Sequence, residues 1–343
     1  MNKGCFFSSV TRISNLQEVP FQIEALPRSQ WQAGHYIVSK VTKADSPYLL
    51  ELANGRMIPV STGDRVVGAL GVRAATLEAT GDWKEVGGDG KMTLLTGAGL
   101  CGKLLSKSPS MGNLIGIEYI GHVHLDGAPA SMKDFVTKVP AQAFKTPTVV
   151  IIGTSMSAGK TTAATLLVRR LKLMGLKVSG AKLAGAARYR DTLWLSDAGA
   201  DHCYDFVEVG LSSSICSEAE FCEALEQLLS KIQADGSDVA VIELGASPLE
   251  PYNGALAIEA IKNQIFATVL CASDPYAVVG IMAAYGEVLP DFVTGPATNT
   301  IAGKNLIEKL TGMDSLNLLE PESLPQLDAF LKEKFIKPNL PSQ

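Results

Sequence analysis

The chain has 343 residues, of which 46% are hydrophobic and 19% are charged, and its formal net charge is −5. This length predicts about two domains, and the acidic balance disfavours a nucleic-acid-binding surface, which normally carries a basic excess. The six cysteines form no Cys-x-x-Cys pair, and no segment approaches the roughly 20 apolar residues of a membrane helix or the pattern of a signal peptide. We therefore expect a cytoplasmic protein that binds neither nucleic acid nor membrane.

Residues 1–143 predict a β-rich domain. Short segments rich in β-branched and aromatic residues, such as HYIVSKV, GDRVVGALGV and LIGIEYIGHVHL, are separated by Gly, Pro, Asn and Asp. The dipeptide Asn54-Gly55 predicts a type I′ hairpin turn, because both residues tolerate a positive φ. The pattern favours a small antiparallel barrel or sandwich.

Two patterns in this half could indicate ligand sites. Gly97–Gly102 fits the spacing G-x-G-x-x-G after a predicted strand, but Pro109 leaves no room for the helix that a dinucleotide site needs, which favours a glycine-rich barrel turn. His122 and His124 share one face of a predicted strand, as metal ligands can. Without a convincing third ligand, an exposed strand face is the favoured interpretation.

Residues 144–343 predict a different architecture. From Thr148 onward, continuous apolar strands such as TVVIIG, KVSGAKL, DFVEVG, DVAVIELG and ATVLCAS alternate with amphipathic segments. The predicted helices cover residues 160–174, 192–198, 218–234, 256–263, 277–285 and 304–310. Buried strands covered by helices are typical of a doubly wound, mostly parallel α/β sheet.

The segment TVVIIGTSMSAGKTTAATLLVRRL contains a candidate phosphate-binding loop. Gly159, Lys160 and Thr161 fit the end of the P-loop pattern, but Thr154 occupies the position of its first glycine and Gly153 comes one residue earlier. The context of strand, loop and helix N-terminus suits a polyphosphate, because backbone N–H groups and the helix dipole point towards it. With this loop, the predicted fold is a P-loop NTPase-like, doubly wound α/β sheet. The predicted phosphate-binding residues are Gly153, Thr154, Ser155, Ser157, Ala158, Gly159, Lys160, Thr161 and Thr162.

The unusual spacing resembles the G-T-x-x-x-x-G-K-T loop of dethiobiotin synthetase and its relatives. KVSGAKLAG and DVAVIELGA are similar to two further strands of that group, and the resemblance implies that Lys182 lies beside the phosphates and that Glu243 helps to hold Mg²⁺. Asp191 or Asp197 could match the metal-binding aspartate of the group. In a doubly wound sheet these strand ends lie at the ligand site. A solvent-directed Lys182 and a helix-capping Glu243 are the structural alternatives.

A second resemblance covers the segment KLAGAARYRDTLWLSDAGADHCYDFVEVGLSSS. It is similar to part of a two-domain P-loop family, some members of which are N-acetyltransferases that transfer the acetyl group of acetyl-CoA to D-amino acids such as D-glutamate. The resemblance implies a site with Arg188, Arg190 and Asp191 near the phosphates, since arginine pairs bind carboxylate or phosphate bidentately. Asn299, which follows a strand end, corresponds to the position where the dethiobiotin synthetase group recognises its purine.

These observations predict an enzyme that binds Mg-ATP and acts on a small carboxylate or amine. Lys160, Lys182 and Asp191 are its predicted catalytic residues, and Thr161, Glu243 and Asp191 its metal ligands. ATP is preferred to GTP because no Asn/Thr-Lys-x-Asp guanine signature is present. The alternatives are acetyl-CoA-dependent acetylation of a D-amino acid and a nucleotide-dependent switch or chaperone. By resemblance, we expect a homo-oligomer, usually a dimer.

Overall fold

The computed structural model describes residues 4–286 and 289–336, and the chain in it forms two compact units. The first unit contains the chain up to Val139 together with Gly185–Arg190 and Asp205–Leu228. The second unit contains Pro140–Ala184, Asp191–Tyr204 and the chain from Leu229 onward. The two units are therefore discontinuous in sequence, whereas the predicted domains 1–143 and 144–343 divide the chain linearly; that division stays a prediction.

The first unit is rich in β-structure, as the sequence predicts. Its strands are β1 (Cys5–Phe7), β2 (Gln22–Glu24), β3 (Tyr36–Lys43), β4 (Leu50–Glu51), β5 (Met57–Ile58), β6 (Arg65–Leu70), β7 (Val72–Ala74), β8 (Ala79–Asp82), β9 (Lys91–Leu94), β10 (Leu100–Lys107), β11 (Gly116–Leu125) and β12 (Ala128–Pro129).

Five of these strands close a ring of hydrogen-bonded pairs. The order is β6, β3, β11, β9 and β10, and β10 returns to β6. All pairs are antiparallel except β6 with β10, which is parallel. Alternate residues such as Ile37, Val41, Val66 and Leu70 form the buried apolar core of this ring.

Gly68 is required by this closure. A Cβ at Gly68 would lie 2.4 Å from the carbonyl oxygen of Gly99, so a side chain there would force β6 and the start of β10 apart. The Gly97–Gly102 segment leads directly into strand β10 rather than into a helix. It is therefore a barrel turn, and the prediction against a dinucleotide loop holds.

The hairpin around Asn54-Gly55 has a different turn type from the predicted one. Strands β4 and β5 pair across it, but only Gly55 has a positive φ, of 82°. The Asn54 carboxamide instead accepts the N–H of Arg56, a local bond that holds Asn54 outside the left-handed region. The type I′ prediction is therefore wrong, although the position of the hairpin is correct.

The prediction that His122 and His124 lie on an exposed strand face is also wrong. The two side chains are 0% and 6% exposed, and the His122 ring contacts Trp31, His35 and Tyr119. The Tyr119 hydroxyl lies 2.6 Å from Nδ1 of His122. Burial, with the neighbouring histidines, lowers the pKa of His122 to about 3. Throughout residues 4–286 and 289–336, no group of three or more His, Cys, Asp or Glu side chains is arranged to hold a metal ion.

The segment DFVEVG is not the strand that its composition predicts. Strand β15 ends at Asp205, and residues Phe206–Val209 form a 3₁₀ turn. The Asp205 carboxylate accepts the N–H of Val207, and the Glu208 carboxylate accepts the N–H of Asp205, which together make a capping box. These local hydrogen bonds favour the turn over an extended strand.

A buried arginine joins the two carboxylates of this turn. Arg12 donates to Asp205 at 2.5 Å and to Glu208 at 2.9 Å, and its guanidinium lies over the Tyr189 ring. One positive charge therefore faces two carboxylates, of which Asp205 is buried and Glu208 is partly exposed. Burial raises the pKa of Glu208 to about 7, and the negative charge of the adjacent Asp205 carboxylate adds to this effect.

We expect this pKa to make the protein less stable as the pH rises from 5 to 8. The folded state binds a proton on Glu208 that the unfolded chain releases near its ordinary pKa, so the free energy of unfolding falls as the pH rises through about 7. Urea denaturation at pH 5 and pH 8 measures this change. Glu208→Gln should show a clearly smaller difference between the two pH values, and an equal difference in both proteins would contradict the assignment.

The second unit is built on a mostly parallel sheet. The strands are β13 (Thr148–Gly153), β14 (Val178–Ala184), β15 (His202–Asp205), β16 (Val239–Leu244), β17 (Ile265–Cys271) and β18 (Phe292–Thr294), in the spatial order β15-β14-β16-β13-β17-β18. The pairs β14–β16, β16–β13, β13–β17 and β17–β18 are parallel. From β13 the chain crosses to β14 on one side of the sheet order, and from β16 it crosses to β17 on the other side. The connections therefore diverge beside β13, and doubly wound sheets bind their ligands at such a point.

The helices of residues 144–336 are α1 (Lys160–Leu173), α2 (Tyr189–Asp197), α3 (Glu218–Ala234), α4 (Gly254–Ile261), α5 (Pro275–Ala284), α6 (Ile301–Thr311) and α7 (Leu324–Ile336). The apolar face of α1 contributes Leu167, Val168 and Leu171 to the core beneath the sheet strands. The predicted α/β fold with a parallel sheet is confirmed, and α7 is the helix that the sequence pattern did not predict. None of the helices in the described ranges is long and apolar enough to cross a membrane.

Candidate nucleotide-binding site

The candidate loop connects the end of β13 at Gly153 to the start of α1 at Lys160. Two of its residues adopt positive φ angles, Ser157 at 62° and Gly159 at 92°, which curl the backbone into the first turn of α1. The Lys160 side chain is only 4% exposed and donates to the carbonyl oxygen of Ser155 at 2.6 Å. The lysine thus lies across the loop, in the strand–loop–helix arrangement of a P-loop fold.

The position of Gly153 has a direct physical reason. A Cβ at this residue would lie 2.7 Å from Cδ and 2.9 Å from Nζ of Lys160, so the lysine side chain occupies the space that any other residue would need. Glycine is therefore required one position earlier than in the usual pattern.

Thr154 contributes a different contact at the usual glycine position. Its N–H donates to the carbonyl oxygen of Cys271, and its hydroxyl accepts the N–H of Ser273 at 3.1 Å. These bonds fasten the start of the loop to the end of β17. A glycine in this position would lack the hydroxyl that makes the second bond.

Two oxygen-bearing side chains meet at the start of α1. The Thr161 hydroxyl donates to Oε1 of Glu243 at 3.2 Å, and Glu243 is 2% exposed at the end of β16. Within residues 4–286 and 289–336, the other carboxylate oxygen, Oε2, is buried and has no hydrogen-bond partner. A hydroxyl and a carboxylate with a free buried oxygen fit Mg²⁺, which binds oxygen ligands and keeps several waters.

The Ser155 hydroxyl is a second buried polar atom inside the loop. It also lacks a hydrogen-bond partner in the described part of the chain. An unsatisfied buried hydroxyl costs free energy, which a phosphate oxygen placed in the loop would recover.

Lys182 and Asp191 form a buried ion pair next to this group. Their Nζ and Oδ2 atoms are 2.5 Å apart, and Lys182 is 5% exposed, so the lysine does not extend to solvent. Lys182 of β14 is the register partner of Glu243 in the neighbouring strand β16. Of the two candidate aspartates, the structure therefore brings Asp191 to Lys182, whereas Asp197 is an exposed residue at the end of α2.

Burial dominates the electrostatics of the site. Burial lowers the pKa of Lys160, and the nearby Glu243 carboxylate opposes this effect. Burial raises the pKa of Glu243, and the Lys182 ammonium opposes it. The charged forms of Lys160 and Glu243 are therefore costly without additional partners, and a bound cation and polyphosphate would supply partners for both.

Each of the other predicted site residues has its own surroundings in the structure. Arg188 belongs to the first unit and lines a cavity of about 90 Å³ together with Tyr48 and Thr96. Arg190 contributes its backbone N–H to the carboxylate of Glu51 at 2.7 Å. Asn299 is exposed and follows the 3₁₀ turn after β18.

Sequence reasoning missed Glu51. Its carboxylate is 1% exposed and accepts the N–H groups of Tyr189 and Arg190 at the start of α2, as a helix N-terminus favours. Ser9 donates to the same carboxylate. A lone glutamate in a short strand carries no sequence signal for this contact, because its partners are about 140 residues away.

The chain was compared with known proteins. No protein-family model matches it, and no curated protein is significantly similar to it in sequence. One solved structure similar to part of the chain is chloroplast FtsY from Physcomitrella patens, with 15% sequence identity and a TM-score of 0.37; the match covers 54% of this chain and 62% of that chain. Another is hydrogenase maturation factor HypB from Archaeoglobus fulgidus, with 17% identity and a TM-score of 0.37; the match covers 56% of this chain and 91% of that chain. A third is a ParA family ATPase from Chlorobium tepidum, with 14% identity and a TM-score of 0.32; the match covers 57% of this chain and 94% of that chain.

These matches cover little more than half of this chain and, for the Physcomitrella FtsY, less than two thirds of the other protein. At such identities and TM-scores they bear on neither substrate nor activity.

We expect Gly153→Ala to weaken phosphate binding without unfolding the protein. The new methyl group would meet the flexible end of Lys160, so the ammonium moves away from its position while the strand stays in place. Loss of one charge-assisted contact should weaken binding of Mg-tripolyphosphate by roughly tenfold or more in calorimetry.

Gly280→Ala is the matched control, because Gly280 lies in α5 with open space around its Cα. Both variants should keep a thermal midpoint close to that of the wild type. Equal tripolyphosphate affinity in Gly153→Ala and Gly280→Ala would contradict the prediction, because it would show that Lys160 can bind phosphate without the space that the missing Cβ of Gly153 leaves free.

Proposed function

We propose that the second unit binds a magnesium–nucleoside triphosphate, preferably Mg-ATP, and that the protein is an enzyme acting on a small carboxylate or amine. The observation that carries this proposal is the pair of buried, unpartnered oxygens in the described chain, Ser155 Oγ in the loop and Glu243 Oε2 beside it. Native proteins seldom leave such atoms unsatisfied unless a ligand completes them. Lys160 and Thr161 at the start of α1 contact these two residues: Lys160 donates to the Ser155 carbonyl oxygen, and Thr161 donates to Glu243.

The side chains of the site have distinct roles in this proposal. The N–H groups at the start of α1 and the Lys160 ammonium bind phosphate oxygens, and Gly159 lets the backbone approach them closely. Thr161 and Glu243 would hold Mg²⁺, which would neutralise negative charge on the phosphates. Because Glu243 is fixed in a strand of the sheet, its carboxylate is positioned before any ligand binds.

Lys182 is the second cation of the site and would stabilise negative charge on a transferring or attacked group. Asp191 accepts a hydrogen bond from its ammonium and so holds it at the strand end. The geometry supports Asp191 as a positioning residue for Lys182, and a metal contact would compete with that ion pair. Positioning and electrostatic stabilisation are the main demands of phosphoryl transfer.

Acetyl transfer from acetyl-CoA to a D-amino acid is the second candidate. It is supported by the resemblance of the segment from Lys182 to Gly210 to the P-loop family that includes D-amino-acid N-acetyltransferases. It is also supported by the position of Arg188, which lines a small cavity with Tyr48 and Thr96. Thr96 Oγ1 is buried without a partner in the described residues, and a guanidinium with a free hydroxyl suits a carboxylate. In this case the loop would bind the phosphates of CoA.

Calorimetric titration with Mg-ATP, Mg-GTP and acetyl-CoA tests the proposal. We expect Mg-ATP to bind, and Lys160→Ala to weaken its binding by roughly tenfold or more, since a charge-assisted contact is lost. Lys304→Ala is the control, because Lys304 lies on α6, outside the loop, and pairs with Glu320. A screen of small carboxylates and amines for stimulated ADP release then tests the enzymatic activity.

Three other results would overturn the first candidate. Binding of acetyl-CoA without nucleotide affinity would favour the acetyltransferase, and D-amino acids would be the first substrates to test. Mg-ATP-dependent association with a partner protein without turnover would favour a switch or chaperone. Lack of binding by every ligand would contradict a functional phosphate site.

A further inference from the structure

An apolar cavity of about 360 Å³ lies in the second unit over the outer side of α1. Its floor is a stripe of that helix, Thr162, Thr165, Leu166 and Arg169, at the spacing i, i+3, i+4 and i+7. The volume is within the range of small-molecule sites. No role in the proposed loop chemistry accounts for an open apolar cavity here.

One wall of the cavity is aromatic. Trp194 of α2 lines it and leaves 40% of its surface exposed, although a tryptophan is among the side chains that gain most from burial. Leu319, on another wall, is 70% exposed. An indole and a leucine that face an open cavity provide surfaces on which a flat, apolar group can stack.

The cavity floor begins at Thr162, in the first turn of α1 after the phosphate loop. Thr162 directly follows Thr161, whose hydroxyl contacts Glu243, and it forms the end of the cavity floor nearest the loop. From Thr162 to Arg169 the helix rises by roughly 10 Å. A ligand with its phosphates in the loop can therefore extend along α1 into the cavity.

We propose that this cavity binds the purine base of the nucleotide, stacked on Trp194. This inference rests on the proposed function, because it assumes that the phosphates lie in the loop. Asp197, at the cavity wall, offers a carboxylate that can accept hydrogen bonds from an exocyclic amino group of the base. The site for the base is then formed by α1 and α2 rather than by Asn299, which does not line the cavity.

Comparison of two ligands separates this inference from the proposed function. Mg-tripolyphosphate reports on the loop alone, and Mg-ATP reports on the loop and the cavity. Trp194→Ala should weaken Mg-ATP binding by about tenfold, the size expected for a lost base–aromatic stack, and should leave tripolyphosphate affinity within about twofold of the wild type. Trp194→Phe should recover most of the Mg-ATP affinity, because phenylalanine keeps an aromatic face.

The matched control is Leu173→Ala, which removes an apolar side chain with 70% exposure from the far end of the same helix. It should change neither affinity. An unchanged Mg-ATP affinity in Trp194→Ala would overturn the inference, and so would a loss of Mg-ATP affinity in Asn299→Ala instead. In either case, tripolyphosphate binding would still support the loop as a phosphate site. If the wild type bound neither ligand, the proposed function and the inference would both fail.

Discussion

The candidate site depends on the burial of charged side chains at the carboxyl ends of parallel strands. Lys160, Lys182 and Glu243 are each no more than 5% exposed. Removing such groups from water costs several kcal/mol per ion unless each one gains a close partner. Lys182 has Asp191, whereas one oxygen of Glu243 has no partner in the described residues. The folded chain therefore holds a charge arrangement that a cation and a polyphosphate would complete.

The rigid surroundings explain how this arrangement is kept. Glu243 and Lys182 are register partners in adjacent strands, and the strand bearing Glu243 also pairs with β13, which leads into the loop. The loop is tied to β17 by the two hydrogen bonds of Thr154, and Gly153 leaves space for Lys160. The sheet thus fixes donors and acceptors before a ligand arrives, as electrostatic catalysis requires.

Local pattern was enough to predict the parallel sheet, helices α1 and α3, and the strand–loop–helix arrangement from Gly153 to Lys160, because apolar strands, helix periodicity and the Gly-Lys-Thr sequence are all short-range signals. It failed at His122 and His124, which are buried; the His122 ring packs against Trp31 and His35, which lie far from it in the sequence. It also failed for DFVEVG, whose apolar residues predict a strand while the Asp205 and Glu208 carboxylates cap a 3₁₀ turn. The contact of Glu51 with the start of α2 is formed only by tertiary folding.

The proposed role of Glu243 as a metal ligand of a nucleotide site is tested most directly by the dependence of ATP binding on Mg²⁺. Equilibrium dialysis would compare ATP affinity with and without Mg²⁺ in the wild type and in Glu243→Gln. We expect Mg²⁺ to strengthen ATP binding by roughly tenfold or more in the wild type and far less in the variant, because the amide is a weaker ligand than a carboxylate. Equal strengthening by Mg²⁺ in both proteins would contradict this role of Glu243.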